Sequence, residues 1–248
     1  RRAAIAVIAL ILGNGLRFRL EDALLAAVSD DLHQFEQVWQ GQTEKRLANF
    51  FADRLKVQQR EAGVRHDLID AVFALGGEDD LVRLLARVHA LQAFVTTEDG
   101  TNLLAGYKRA ANILKKEDWR GIEGEISQTG EEDPLALVDD PDMKEVIAAK
   151  MADRHAAEEH LTYEPEPAEK SLIDALDAAE PAVRGAVEGE DFDHAMRVLA
   201  SLRAPIDRFF EEVTVNADEA NKRAVRLALL ARFRDAVHQV ADFSRIEG

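Results

Sequence analysis

Apolar residues recur at three- and four-residue spacing through almost all of the 248 residues of this chain. Runs that alternate apolar and polar residues, which are typical of strands, are nearly absent. Helix-forming residues dominate, while glycine and proline are confined to a few short joints. The pattern therefore predicts an all-α protein that folds as a helical bundle.

Glycines, prolines and capping residues divide the chain into predicted helices. We place these at roughly 2–13, 20–29, 31–61, 65–75, 79–93, 100–116, 142–160, 167–188, 191–213 and 217–242. A polar, glycine-rich stretch at 117–133 predicts a loop, and the two prolines in residues 164–167 predict a hinge. Pro205 is expected to bend the 191–213 helix.

Composition limits the class of protein and its compartment. Hydrophobic residues make up 47% of the chain and charged residues 31%, which is the balance of a globular domain. The chain has no cysteine, so disulfides and thiolate metal sites are excluded, and we expect a cytoplasmic protein. No apolar run approaches the roughly 20 residues that span a bilayer, so no membrane contact is expected. Because the chain begins Arg1-Arg2 without Met, we expect it to be part of a longer protein.

The net charge of −16 comes from one central segment. Residues 121–192 contain 5 Lys/Arg against 21 Asp/Glu, whereas residues 1–120 contain 17 of each and residues 193–248 contain 9 of each. The overall acidity alone would argue against a nucleic-acid partner. Since binding depends on local patches, the two balanced segments remain candidates for one.

The predicted helix at 100–116 has a basic face opposite an apolar stripe. Spacings of 3, 4, 7 and 8 residues return to one side of a helix, and these residues share such a side: Lys108, Arg109, Asn112, Lys115 and Lys116. A polyanion would relieve the repulsion among these cations, and each neutralised phosphate would release counterions. The alternative is a solvated basic face, or one paired with the acidic middle segment.

The last two predicted helices also present cations. At 100° per residue, Lys222, Arg223, Arg226 and Arg234 fall within about a third of the circumference of the 217–242 helix, with Asn221 beside them as a possible base-contacting residue. Arg232 points away and is expected to be structural. On the 191–213 helix, Arg197 and Arg208 share a face because they are eleven positions apart.

Signals of catalysis or metal binding are weak. The chain has no glycine-rich phosphate loop, and His155 and His160 are five residues apart, a spacing that does not place both on one metal. The pair His66-Asp67 matches the metal-binding dipeptide of phosphohydrolases but lacks further ligands at suitable positions. We therefore expect no catalytic and no metal-binding residue, and a helix-start role for His66-Asp67.

Four strings resemble the β subunit of the bacterial two-subunit glycyl-tRNA synthetase, and they occur in that family's order. They are FFADRLKV at 50–57, RHDLIDAVFA at 65–74, NLLAGYKRAANIL at 102–114 and VADFSR at 240–245. The resemblance implies a subunit that binds glycine tRNA, whereas ATP-dependent glycine activation, with Mg, occurs on a separate α subunit in an assembly of two α and two β chains. No cofactor is then expected in this chain, and no DNA partner.

The same resemblance implies a domain plan. Residues 1–75 would be the closing helices of an HD-type domain or a helical linker, and residues 76–248 a DALR-like anticodon-binding domain with an acidic, insertion-like stretch at 117–165. The DALR-like pattern corresponds to YKRAANIL at 107–114, FFEEVTV at 209–215 and RAVRLALL at 223–230.

The main hypothesis from the sequence is a non-catalytic module that recognises the anticodon arm for a glycine–tRNA ligase. Its tRNA-binding residues would be the basic and amide residues named above on the three helices. Two alternatives stay open: a structural helical scaffold for subunit assembly, and the tail of an HD-type phosphohydrolase. The first would expose apolar helix faces, and the second would bind a divalent metal.

Overall fold

The computed structural model of the chain describes residues 2–20, 22–23, 42–76, 80–117, 119 and 163–247. The side chains of Arg2, residues 42–49, Ala52, Ala220 and Asn221 are outside that description. The predicted helix at 142–160 and most of the predicted loop at 117–133 also lie outside the described residues.

All regular structure in the described residues is helical, which confirms the all-α prediction. The α-helices are α1 (Arg2–Gly13), α2 (Gln42–Glu61), α3 (His66–Phe73), α4 (Leu81–Val95), α5 (Glu98–Lys116), α6 (Pro167–Glu188), α7 (Phe192–Ala200), α8 (Arg203–Glu212) and α9 (Ala220–His238). A short 3-10 helix follows at Phe243–Arg245. Within the described ranges, no helix is both long enough and apolar enough to cross a membrane.

The chain forms two compact units, each assembled from separate parts of the sequence. The first unit comprises Arg1–Thr101, Val183–Arg197 and His238–Gly248. The second comprises Asn102–Ala182 and Val198–Val237. Every basic residue predicted to contact RNA, except Arg197, belongs to the second unit.

In the first unit, the C-terminal residues are bound to the start of α3. Asp67 is buried and accepts hydrogen bonds from the Arg65 guanidinium and from the Glu247 N–H, the latter at 2.9 Å. Arg65 also donates to the Glu247 carbonyl at 2.7 Å, and the Asp242 N–H donates to the Ala71 carbonyl at 2.9 Å. The helix-start role of His66-Asp67 is confirmed, because α3 begins at His66 and Asp67 lies in its first turn.

The joint between α4 and α5 depends on one glycine. A Cβ at Gly100 would lie 2.0 Å from the Phe94 carbonyl oxygen, closer than any side chain permits. The Gly100 N–H donates to the Thr97 hydroxyl at 3.0 Å, which begins α5 directly after the turn. This tight joint sets where α5 starts.

In the second unit, α5 approaches α8 closely. A Cβ at Gly106 would lie 3.4 Å from Ile206 Cγ2, so the two helices meet where α5 has no side chain. Tyr107 and Phe209 are fully buried at this contact. The close packing leaves the opposite face of α5 to solvent.

The predicted helix at 191–213 is wrong as a single helix: it is α7 and α8, separated at Ser201 and Leu202. The Ser201 N–H donates to the Val198 carbonyl and the Leu202 N–H to the Leu199 carbonyl, so a tight turn ends α7. Pro205 lies in the first turn of α8, where a missing N–H breaks no helical hydrogen bond. Pro205 therefore fits a new helix instead of bending an old one.

Candidate nucleic-acid interface

The outer face of α5 is basic, as its periodicity predicts. Leu103, Leu104, Tyr107, Ala110 and Leu114 are buried. Arg109, Asn112, Lys115 and Lys116 are exposed, and Lys108 is half-buried. Because the apolar stripe packs inward, this cationic face is displayed to solvent.

The cations of α5 differ in how firmly they are held. The Arg109 guanidinium lies 4.3 Å from the centroid of the Phe210 ring and donates to the Phe210 carbonyl at 3.4 Å. Lys115 and Lys116 are exposed and form no ion pair with any residue in the described ranges. Those two lysines are therefore the α5 cations that an external anion reaches at the lowest cost.

The end of α5 lies against the first turn of α9. Glu117, the residue after Lys116, accepts a hydrogen bond from Arg223 and another from the Asn216 side chain. These two bonds hold the pKa of Glu117 below its ordinary value of 4.5. The structure thus brings the predicted 108–116 face and the N-terminal end of the predicted 222–234 face to one corner of the second unit.

Arg226 corrects the prediction of one continuous basic face on α9. It is 3% exposed, and its guanidinium donates to Glu169 and Glu166 at 2.6 Å each and to the Thr214 carbonyl at 2.7 Å. With its donors used inside the unit and almost no exposed surface, Arg226 is no part of an accessible surface. The helical wheel failed here because it gives the angular position of each residue around the helix but not which other segments pack there.

The Arg226 network holds the segment before α6 in place. The Tyr163 hydroxyl donates to Glu169 at 2.7 Å, and the Glu166 N–H donates to the same carboxylate at 2.7 Å. Burial alone would raise the pKa of Glu169, but the bonds from Arg226, Tyr163 and the Glu166 N–H hold it below its ordinary value. Burial and the bond to Glu169 raise the pKa of the Tyr163 hydroxyl.

Lys222 lies between this network and the surface. Its ammonium is 2.7 Å from Glu219 and 5.7 Å from the centroid of the Tyr163 ring. It is half-buried, so its charge is partly neutralised before any ligand arrives. Lys222 borders the corner formed by Glu117 and Arg223.

The remaining arginines of α9 point elsewhere. Arg232 pairs with Asp177 at 2.7 Å and with Glu180 at 3.1 Å, which confirms its expected structural role. Arg234 is half-buried and pairs with its neighbour Asp235 at 2.6 Å. The structure therefore does not unite Arg234 with Arg223 in one exposed stripe.

The last three predicted contact residues have separate outcomes. Arg208 is exposed and pairs with Glu212 on its own helix at 2.8 Å. Arg197 is exposed on α7 in the first unit, so the shared-face argument fails because two helices replace one. The Asn221 side chain lies outside the described residues.

Sequence reasoning missed the acidic members of this site. Glu117 orients Arg223 and Glu169 orients Arg226, yet both glutamates are ordinary charged residues in an acidic chain. The one available signal was the position of Glu117 directly after Lys115-Lys116. Among the described residues, no group of three or more His, Asp or Glu is arranged to hold a metal ion.

Comparison with known families gives two matches along the chain. Residues 1–74 match the profile of the glycyl-tRNA synthetase beta subunit, and residues 103–244 match that of the DALR anticodon binding domain. Both matches agree with the family resemblance that the four sequence strings indicated.

Curated relatives align with the whole chain. It is 47% identical over 249 positions to the glycine–tRNA ligase beta subunit of Rhodospirillum centenum, covering 100% of this chain and 30% of that protein. The corresponding subunit of Paracoccus denitrificans is 43% identical with the same coverage, and that of Cereibacter sphaeroides is 42% identical, with 31% of its length covered. The chain thus spans about 30% of the length of the relatives that it matches.

Proposed function

Because the chain belongs to the DALR anticodon binding domain family, whose profile its residues 103–244 match, we propose that it binds the anticodon arm of a tRNA. The tRNA is one that accepts glycine, since the relatives that align with the full chain are named glycine–tRNA ligase beta subunits. The family match carries this proposal, and the exposed cations at the end of α5 supply a matching surface.

Lys115, Lys116 and Arg223 provide the phosphate contacts, flanked by Arg109 and Lys222. Clustered cations on two helix ends fit an RNA backbone, which is recognised by its shape and phosphates. Anticodon bases, unstacked from the loop, are recognised through their edges by polar side chains such as the exposed Asn112. The chain performs recognition and contributes no catalytic residue.

The chemistry of the ligase occurs on a different subunit. In this proposal, a catalytic α subunit activates glycine with ATP and Mg, and two α and two β chains assemble in the cytoplasm. The support is the beta-subunit name of the relatives and the match of residues 1–74 to that family. Co-purification of an affinity-tagged chain with the α subunit tests this part separately from tRNA binding.

Filter binding of glycine tRNA tests the recognition surface. The double variant Lys115→Glu/Lys116→Glu should bind roughly a hundredfold more weakly at 0.1 M salt, because each lost phosphate contact costs about tenfold there. The matched control is Arg60→Glu/Arg184→Glu, which makes the same charge change at two exposed cations of the first unit.

The control variant should keep its affinity within about threefold, since only long-range charge is altered. Equal losses in both variants would mean that net charge, and not this surface, governs binding. A glycine tRNA with a replaced anticodon should bind more weakly than the unaltered tRNA; equal binding would contradict recognition of the anticodon.

A second role in subunit assembly is favoured by one observation. Ile5, Val7 and Leu10 of α1 are exposed large apolar side chains. Apolar residues grouped on one short helix are typical of an interaction surface. Leu10→Glu should reduce co-purification of the α subunit while leaving tRNA affinity unchanged; an unchanged α-subunit yield would remove this role.

A further inference from the structure

The bond between Glu117 and Arg223 joins two partners of very different exposure. The Glu117 side chain is 12% exposed and the Arg223 side chain 48%. The Asn216 side chain also contributes a hydrogen bond to Glu117. The less exposed partner, Glu117, is thus the anchor, and Arg223 is the group that it orients.

An anchored arginine is better prepared to bind a phosphate than a mobile one. The guanidinium has five N–H donors in a rigid plane. Glu117 accepts from Nη2, so other donors of the same plane remain for an external anion. Because the plane is already oriented, less side-chain freedom is lost when the anion binds.

We propose that Glu117 is a positioning residue: it holds the Arg223 guanidinium beside the end of α5, so that Lys115, Lys116 and Arg223 bind neighbouring phosphates of one RNA strand. This rests on the proposed tRNA-binding function and identifies the residue that assembles its phosphate contacts. The side chains come from two helices, and Glu117 is their connection.

The opposite role, in which Glu117 competes with RNA for Arg223, disagrees with the burial. A competing carboxylate must leave when phosphate binds, but the Glu117 side chain is only 12% exposed and would have to move out of a mostly enclosed position. The Arg208–Glu212 pair shows what a replaceable partner is like, because both of its side chains are about half exposed, at 49% and 48%.

A double-mutant cycle on the 248-residue chain with glycine tRNA tests this role. Arg223→Gln should weaken binding roughly tenfold in the wild-type background but less than threefold once Glu117→Gln is present. Glu117→Gln alone should weaken binding several-fold, although it removes a negative charge. It should also lower the magnitude of the salt dependence, d log K/d log[salt], by about 0.7–0.9, the contribution of one phosphate contact.

The matched control cycle uses Arg208→Gln and Glu212→Gln, with identical charge changes at an exposed pair. Glu212→Gln should leave affinity equal or slightly higher. Arg223→Lys provides a second measurement that leaves residue 117 unsubstituted: it keeps the charge at position 223 but loses the planar guanidinium. Its cost should be several-fold in the wild type and vanish with Glu117→Gln.

Tighter binding by Glu117→Gln, or an undiminished cost of Arg223→Gln in that background, would overturn the positioning role while tRNA recognition stands. No detectable binding of glycine tRNA by the wild-type chain would overturn the proposed function, and this inference with it. Thermal unfolding followed by circular dichroism shows whether each variant is folded.

Discussion

Arg223 and Arg226 are the same residue type, three positions apart on α9, and have opposite surroundings. Arg223 has a side chain that is 48% exposed, whereas that of Arg226 is 3% exposed and donates to Glu169, Glu166 and the Thr214 carbonyl. A helical wheel places both on one face. The pair shows that one arginine belongs to the surface and the other to the core, although local sequence treats them alike.

The difference follows from how α9 is covered along its length. Six consecutive residues, 226–231, are buried, so no side of those turns faces solvent. The first turn precedes this covered part, and Arg223 in it remains exposed. An arginine in the covered turns must be paired with carboxylates that are themselves packed against the helix, because an unpaired buried charge costs several kcal/mol.

Arg226→Met should have the largest effect, on stability. It leaves Glu169 buried without its cationic partner, which should lower the free energy of unfolding by roughly 3–5 kcal/mol. Urea denaturation followed by circular dichroism measures this. The double variant Arg226→Met/Glu169→Leu should recover part of the loss, since it removes the stranded charge. Weaker tRNA binding with unchanged stability would contradict the core assignment of Arg226, because the residue would then act at the surface.

The next largest effect should be a loss of the stability contributed by the buried Glu169 at acid pH. The folded-state pKa of Glu169 lies below its ordinary value of 4.5. Ionised Glu169 therefore stabilises the fold above about pH 4.5, and this stabilisation is lost as the pH falls through the lower folded-state value. The gap in unfolding midpoint between wild type and Glu169→Gln should be full at pH 6 and narrow below pH 4. A gap that is constant with pH would contradict the charged network.

Substitutions of Arg223 and Arg234 should have different effects on tRNA affinity. Arg223→Gln should weaken binding roughly tenfold at 0.1 M salt, whereas Arg234→Gln should change it less than about twofold. The reason is that Arg223 is exposed at the corner with α5, while Arg234 is half-buried beside Asp235. Both variants should stay within about 0.5 kcal/mol of wild-type stability. Equal losses of affinity in the two variants would support the prediction that Arg223 and Arg234 lie on one basic face.

The exposed Arg208–Glu212 pair should show the smallest effect. Replacing either residue with glutamine should hardly change the urea midpoint, because exposed pairs four residues apart on a helix contribute little to stability. Urea denaturation measures this change in stability alongside the larger loss expected for Arg226→Met. A loss of stability at Arg208 as large as that at Arg226 would mean that exposure does not distinguish surface arginines from core arginines in this unit.

Local signals predicted several helices closely. The predicted bounds 2–13 and 167–188 coincide with α1 and α6, and Pro167 occupies the first position of α6, where its ring fits. The division of 191–213 was missed because Pro205 is compatible both with a bend and with a first helical turn. No glycine marks the turn at Ser201 and Leu202 that decided between them.

For the candidate site, periodicity succeeded where a helix has one covered side. On α5 it placed Lys115 and Lys116 outward, and both are exposed. On α9 it failed at Arg226, since that helix is enclosed over its central turns. The division of the chain at residue 76 and the contacts to tRNA stay predictions.

The all-α class, the central position of the acidic excess and the family all follow from the amino-acid sequence, because helical period, composition and motif strings are properties of neighbouring residues. Tertiary structure alone decided which cations face solvent. Glu117 is 106 residues from Arg223, and Glu169 is 57 residues from Arg226. Burial and ion pairing depend on which distant segments pack together. The spacing of residues along one helix gives only the angle between their side chains.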